Sequence, residues 1–192
     1  IAVLAKATSQ IEAKQIIEQF KAQTHKYKHL ILEIPAKNKR TGNQKITYLT
    51  SKNSKSKTIK EVIGNAKWIA SMSPKDYYGP NYLLDIAIAS QYSVADLIGK
   101  AAYFQTKGSE IALLQKDASY RPIQEFPARQ AALKVNNSIL LETVTSWLKK
   151  LDNRQLKSEC GLAIDPYNYC RSANNKAIKT IKERVDDLAS ID

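Results

Sequence analysis

The chain has 192 residues, of which 43% are hydrophobic and 25% charged, and this composition fits one globular domain and excludes a disordered chain. No apolar run approaches the roughly eighteen residues that a membrane-spanning helix needs. The 30 basic residues outnumber the 18 acidic ones and give a formal net charge of +12. A field of that sign favours anionic partners such as nucleic acid, acidic glycans or lipid headgroups.

The N-terminal segment IAVLAKATSQ suggests export. Ala5-Lys6-Ala7 has the A-x-A form of a signal-peptidase site and follows an apolar stretch, as at the end of an export signal. From Thr8 onward, apolar residues recur at helical spacing, with Ser9 or Thr8 as the N-cap. This pattern predicts an amphipathic helix that ends near His25.

The two histidines are candidates for metal ligands. His25 and His29 are four residues apart, which is the spacing of a zinc-binding pair on one helix face. No glutamate neighbours the first histidine, and a predicted strand begins at Leu30, so the helical spacing does not continue. We therefore predict no metal site and no cofactor.

A basic β-hairpin is predicted over residues 29–51. Its strands are the β-type runs 30–34 and 45–50, separated by turn-forming residues. The window 37–60 holds eight basic residues and no acidic one. The candidate residues for an anionic partner are Lys37, Lys39, Arg40, Lys45, Lys52, Lys55 and Lys57. Such a ribbon can lie along a nucleic-acid groove, or its lysines can simply protect an edge strand from aggregation.

The segment 58–72 predicts a helix, because Thr58 and Glu61 form a capping box before an apolar run. The loop that follows carries adjacent tyrosines, Tyr77 and Tyr78. They are candidates for an exposed aromatic contact surface. Alternatively, they cover the core while their hydroxyl groups reach water.

The apolar stretch 82–104 is the predicted centre of the core, as two helices that break at Ser93. With the β-type run 111–114 after it, this pair has the outline of a winged helix-turn-helix, in which 94–104 would be the recognition helix. That helix has few groups able to read bases, and this weakens the DNA-binding interpretation. A longest helix is predicted over 127–151, and a last amphipathic helix over 174–191.

Cys160 and Cys170 are the only cysteines, and they bracket a short turn-rich segment. Their spacing matches neither a redox nor a zinc motif. We predict one disulfide that closes the loop 160–170, with free thiols as the alternative.

The sequence thus predicts a single α+β domain over residues 1–192, helix-dominated, with a small antiparallel β-hairpin or sheet. No Gly-rich phosphate loop, nucleophile elbow or Cys-His pair is present, so we predict no catalytic residues. The leading function is a non-enzymatic exported protein, periplasmic or secreted, that binds a protein partner or anionic surface, for example as part of a secretion or envelope system. The alternatives are a cytoplasmic nucleic-acid-binding protein and an enzyme of unrecognised class.

Overall fold

The computed structural model describes residues 1–35, 45–108, 110–173 and 181. The β-strands are β1 (Ala2–Lys6), β2 (His29–Ile34), β3 (Ile46–Thr50), β4 (Trp68–Met72), β5 (Tyr77–Tyr78), β6 (Leu97–Gly99), β7 (Tyr103–Lys107), β8 (Glu110–Leu114), β9 (Glu125–Pro127), β10 (Ala131–Lys134), β11 (Gln155–Lys157), β12 (Gly161–Ala163) and β13 (Tyr169–Arg171). The α-helices are α1 (Gln10–Ala22), α2 (Ser51–Ser56), α3 (Ile59–Ile63), α4 (Tyr82–Tyr92), α5 (Asn137–Leu140) and α6 (Val144–Lys149). Short 3-10 helices lie at Lys116–Ala118 and Ala128–Gln130.

The centre of the fold is a seven-stranded mixed sheet in the order β3-β2-β1-β4-β10-β6-β12. All neighbouring pairs are parallel except those of β10, which runs antiparallel to β4 and β6. The central strand β1 is apolar and buried on both faces, as in a sheet covered by helices on each side. Every strand of this sheet except β10 runs in the same direction and ends at the same edge of the sheet. The antiparallel strand β10 begins at that edge.

Two apolar clusters cover the two faces of this sheet. On one face, α1 and α4 pack through residues such as Phe20 and Ile86. On the other, α3 and α6 pack through residues such as Ile59 and Trp147. The buried indole nitrogen of Trp147 donates a hydrogen bond to Ser71 Oγ of β4 at 2.9 Å. The result is a three-layer α/β/α arrangement.

Two smaller sheets complete the described part of the chain. One has the strand order β5-β13-β7-β8, and the other pairs β9 with β11. The tyrosine rings of Tyr78, Tyr82 and Tyr169 are packed together, with centroids 5.0–6.1 Å apart. These rings join the four-stranded sheet to α4. None of the described helices combines the length and apolarity that a bilayer span requires.

The prediction of a helix-dominated domain is wrong. The segment 58–72 contains α3 and then strand β4, and the segment 94–104 contains β6 and the start of β7. The predicted long helix 127–151 holds a 3-10 turn, β10 and two short helices. In each case a short strand is buried on both faces, so its residues are apolar without alternation and resemble a buried helix. No winged helix-turn-helix is formed by these segments.

The predicted β-hairpin at 29–51 is also wrong, although both of its strands exist. β2 and β3 pair in parallel, with Leu30 opposite Ile46 and Ile34 opposite Thr50. A hairpin requires antiparallel strands. The apolar run of β2 fits an interior parallel strand better than the alternating pattern of a hairpin.

Several local predictions are confirmed. Ser9 caps α1, because its Oγ accepts the Glu12 N–H at 3.2 Å. The first helix of the central stretch ends at Ser93, and residues 111–114 lie in strand β8. The predicted helix 174–191 falls outside the described residues apart from Ile181, which is buried.

Candidate ligand site at the carboxyl edge of the central sheet

The strand order of the central sheet reverses between β1 and β4. Helix α1 leads from β1 to β2 on one side, and the chain returns from β3 to β4 on the other. In open α/β sheets, ligands bind outside the carboxyl ends of the strands at such a reversal. Ala5 pairs with Met72, so the residues that follow β1 and β4 meet there. We call the surface formed by residues 6–12, 73–76, 129 and 152 the switch-point edge.

Three charged side chains from separate segments meet beside the end of β4. Lys75 Nζ lies 2.6 Å from Asp152 Oδ2, and Arg129 Nη1 lies 3.8 Å from Asp152 Oδ1. The side chain of Lys75 is 64% exposed and that of Asp152 is 49% exposed, whereas that of Arg129 is 7% exposed. One accessible carboxylate therefore bridges an exposed cation and a buried cation.

The next carboxylate, Asp76, is fully buried and turned into the protein. It accepts hydrogen bonds from the Tyr169 hydroxyl at 2.8 Å and from the Ser172 N–H at 2.9 Å. Arg129 Nε lies 3.4 Å from Asp76 Oδ2 but forms no hydrogen bond. Burial raises the pKa of Asp76, and the Arg129 charge opposes that rise. Asp76 thus holds the tyrosine cluster and positions Arg129.

The first turn of α1 supplies a further carboxylate at the switch-point edge. Glu12 Oε2 accepts hydrogen bonds from the Thr8 N–H at 2.6 Å and from the Thr8 hydroxyl at 2.7 Å. Partial burial opposes ionisation, but the bonds from Thr8 and the charge of Lys75 outweigh it and lower the pKa of Glu12. This carboxylate is therefore anionic and already bound.

At the end of β2, Glu33 is 2% exposed and belongs to a buried polar cluster. Lys6 Nζ lies 3.0 Å from its Oε1. The hydroxyl groups of Ser51 and Ser54 donate to the same carboxylate, which ties α2 to the carboxyl ends of β1 and β2. Thr145 of α6 donates to Ser54 Oγ at 2.8 Å and extends the cluster.

A second ionic cluster lies at the carboxyl ends of β6 and β12. Lys100 is fully buried, with its Nζ 2.8 Å from Asp85 and 3.0 Å from Asp165. Asn168 donates to the same Asp85 oxygen at 3.1 Å. Burial raises the pKa of Asp85, while Lys100 opposes the rise. These bonds fix α4 to the edge of the sheet.

A divalent cation does not fit the described residues of the switch-point edge. Magnesium is usually held by one or two carboxylates together with substrate phosphates. Asp76 is buried on protein donors, Glu12 is bound by Thr8, and Asp152 contacts two cations. Within the described ranges, no group of three or more His, Cys, Asp or Glu side chains is arranged to hold an ion.

The predicted anion-binding lysines lie only partly within the described residues. Lys37, Lys39 and Arg40 fall outside them. Lys45 precedes β3, Lys52 and Lys55 are exposed on α2, and Lys57 follows that helix. Helix α2 begins directly after β3, so these lysines lie at the carboxyl edge of the sheet. Their binding of an anionic partner stays a prediction.

The two candidate tyrosines have different environments. Tyr78 is 1% exposed, and its hydroxyl donates to the Arg129 carbonyl at 2.8 Å and accepts from the Ser73 N–H at 3.1 Å. It is therefore a core residue and no exposed contact surface, and its hydroxyl group bonds to the backbone instead of reaching water. Tyr77 is partly buried on β5.

The predicted disulfide is wrong, since Cys160 and Cys170 are both free thiols. Cys160 is exposed just before β12 of the central sheet, whereas Cys170 is buried in β13 of the four-stranded sheet. The disulfide was expected because the two cysteines are close in sequence, but the strands β12 and β13 next to them belong to different sheets. The A-x-A motif lies at the end of the central strand, with Ala5 and Ala7 buried. Export therefore stays a prediction without its two main arguments.

His25 and His29 do not share a helix face, because His29 is the first residue of β2. His29 Nε2 instead lies 2.9 Å from Thr47 Oγ1 of the neighbouring strand. Sequence reasoning missed Lys75, Arg129, Asp152 and Asp76. Had the run before Lys75 been identified as a strand, its carboxyl end would have pointed to Lys75 and Asp76.

The overall fold is similar to that of solved structures. S. aureus TarS 1–349 superimposes with a TM-score of 0.60 at 10% identity, covering 89% of this chain and 60% of that one. The likeness shows that this chain shares the fold of TarS 1–349 and is not helix-dominated. The complex of TarS 1–349 with UDP matches with a TM-score of 0.58, 8% identity and coverage of 94% and 62%. The complex with UDP-GlcNAc matches with a TM-score of 0.55, 7% identity and coverage of 92% and 60%.

The chain thus spans about 60% of the TarS chain that it matches. No protein-family model matches the chain, and no curated protein matches its sequence significantly. The fold shared with TarS overturns the prediction of a non-enzymatic exported binding protein. Side chains that are brought together at the ends of strands leave no contiguous motif in the sequence, so a search for motifs does not find them.

Proposed function

We propose that this chain binds a nucleoside diphosphate sugar and takes part in glycosyl transfer. The observation that supports it is the reversal of strand order between β1 and β4, in a fold that binds UDP and UDP-GlcNAc in TarS. The diphosphate would lie at the switch-point edge, outside the carboxyl ends of the strands.

The charges of this edge suit a diphosphate. Lys75 is exposed and Arg129 lies behind it, and both are cations. The exposed lysines of α2 lie at the same edge of the sheet. A basic surface around a cleft raises the local concentration of an anionic ligand and its association rate. Binding of a diphosphate would account for the net charge of +12 without a nucleic-acid partner.

Binding is tested by titrating the full chain with UDP and with UDP-GlcNAc in a calorimeter. We expect saturable binding of both, because the shared diphosphate supplies most of the charge. Adenosine, which lacks phosphate, serves as the control and should not bind. Release of UDP from UDP-GlcNAc, with water or a sugar acceptor taking the glycosyl group, would then report catalysis. No heat and no thermal stabilisation with either ligand would contradict the proposal.

A further inference from the structure

The arrangement of Lys75, Arg129 and Asp152 has a consequence for how an anion is bound. Nucleoside diphosphates are commonly neutralised by a divalent cation on carboxylates. At the switch-point edge the position outside β4 is instead taken by the Lys75 ammonium group, 2.6 Å from Asp152. The buried carboxylate that follows, Asp76, is bound by Tyr169 and Ser172. The Lys75 ammonium group therefore occupies the position beside Asp152 that a metal ion would need.

Arg129 supplies a second cation next to Lys75, and one of its buried N–H groups has no hydrogen-bond partner. Its side chain is 7% exposed, its Nε has no hydrogen-bond partner, and its Nη1 has only a 3.8 Å contact with Asp152. Arg129 Nη1 is the atom nearest Asp152, and an anionic oxygen between Lys75 and Arg129 would give it a charge-assisted hydrogen bond in place of the 3.8 Å contact. In the ligand-free chain, Asp152 partly supplies this oxygen.

We propose that the diphosphate is bound by Lys75 and Arg129 without a divalent metal ion, and that it displaces Asp152 from these two cations. This inference rests on the proposed function, since it specifies how the same site holds its ligand. Asp152 is 49% exposed and lies in the turn after α6, so it can turn toward solvent when the diphosphate enters. The carboxylate thus competes with the ligand rather than supporting it.

The test measures UDP binding to the full chain in excess EDTA and again with added manganese or magnesium. We expect equal affinity in both conditions. Lys75→Ala should weaken UDP binding about tenfold, because it removes a charge-assisted hydrogen bond. Lys157→Ala is the matched control, since it removes another exposed lysine, which is paired with Glu125 in the β9–β11 sheet. It should leave the affinity unchanged.

The effect of Asp152→Asn on the affinity for UDP distinguishes metal-free binding from binding through a metal ion. If the carboxylate competes for Lys75 and Arg129, its neutralisation should tighten UDP binding about threefold or more. If the carboxylate held a metal, the same change would weaken binding. Both Lys75 and Asp152 are exposed enough for substitution without loss of the fold, which circular dichroism would verify.

The outcomes distinguish this inference from the proposed function. Binding that appears only with manganese or magnesium, or that weakens in Asp152→Asn, would overturn the metal-free mode and leave nucleotide-sugar binding standing. Unchanged affinity in Lys75→Ala would also overturn it. Absence of UDP binding under all conditions would reject the proposed function itself, and the inference with it.

Discussion

At the scale of single residues, the buried carboxylate Asp76 shows how a polar group is held inside this fold. Charges are rarely buried without partners because desolvation is costly. Here the Tyr169 hydroxyl and the Ser172 N–H bond the carboxylate, and Arg129 lies nearby. Because Arg129 also contacts Asp152, the ion pair with Asp76 helps to position a side chain of the candidate ligand site.

Tyr169→Phe should destabilise the chain by about 1.5–3 kcal/mol, since it deletes a hydrogen bond to a buried charged group while keeping the ring packing. Tyr92→Phe is the control, because Tyr92 is 64% exposed and should change stability by less than about 0.5 kcal/mol. Urea denaturation of the two variants and the parent chain measures the difference. Equal midpoints for both variants would mean that the Tyr169 bond to Asp76 contributes nothing.

At the scale of elements, strand β12 shows what a glycine can do besides forming a turn. Gly161 belongs to the turn-rich segment between the two cysteines, but this residue begins a strand that pairs with β6. The segment 121–123 passes directly over it, and Ile123 N–H donates to the Gly161 carbonyl at 3.0 Å. A Cβ at position 161 would lie 1.9 Å from the Ile123 oxygen. Glycine is therefore required by the close approach of two backbones.

Gly161→Ala should cost about 3 kcal/mol or more, because neither backbone segment can move without breaking its pairing. Gly108→Ala is the matched comparison. Gly108 has a φ of +66° but no atom near its missing Cβ, so alanine there meets only backbone strain of about 1–2 kcal/mol. Thermal unfolding of both variants tests the ranking. A smaller loss for Gly161→Ala than for Gly108→Ala would show that the crossing of the two segments is looser than the geometry indicates.

At the scale of the whole molecule, the arrangement of the sheets determines how accessible each of the two cysteines is. Cys160 is exposed beside the central sheet, and Cys170 is buried in the four-stranded sheet. Burial raises the pKa of Cys170 to about 12, so this thiol stays protonated and unreactive at neutral pH. The fold therefore gives the two thiols very different reactivities without any bond between them.

One thiol per native chain should react with a chromogenic disulfide reagent, and two should react in denaturant. A reducing agent should leave the unfolding temperature unchanged, because there is no crosslink to break. Cys160→Ser is the control and should abolish the fast reaction while the slow thiol remains. A native chain with no reactive thiol until reduction would restore the predicted disulfide and contradict this arrangement of sheets.

The sequence by itself determined the features that depend on near neighbours. The cap at Ser9, the end of α4 at Ser93 and the strands at 30–34 and 111–114 follow from residue type and short-range spacing. The residue counts also show directly that the composition is that of a folded chain and that the net charge is strongly basic.

Only the tertiary structure decided which short apolar runs are strands and where their ends meet. The strands β4, β6 and β10 have three to five residues each and are covered on both faces, so neither length nor alternation marks them in the sequence. Lys75, Arg129 and Asp152 come from three separate segments of the chain, and Lys75 and Arg129 lie beside the antiparallel pair β4 and β10, each within 4 Å of Asp152. A site made by long-range pairing leaves no local motif, because its contacts depend on strand order rather than on residue spacing.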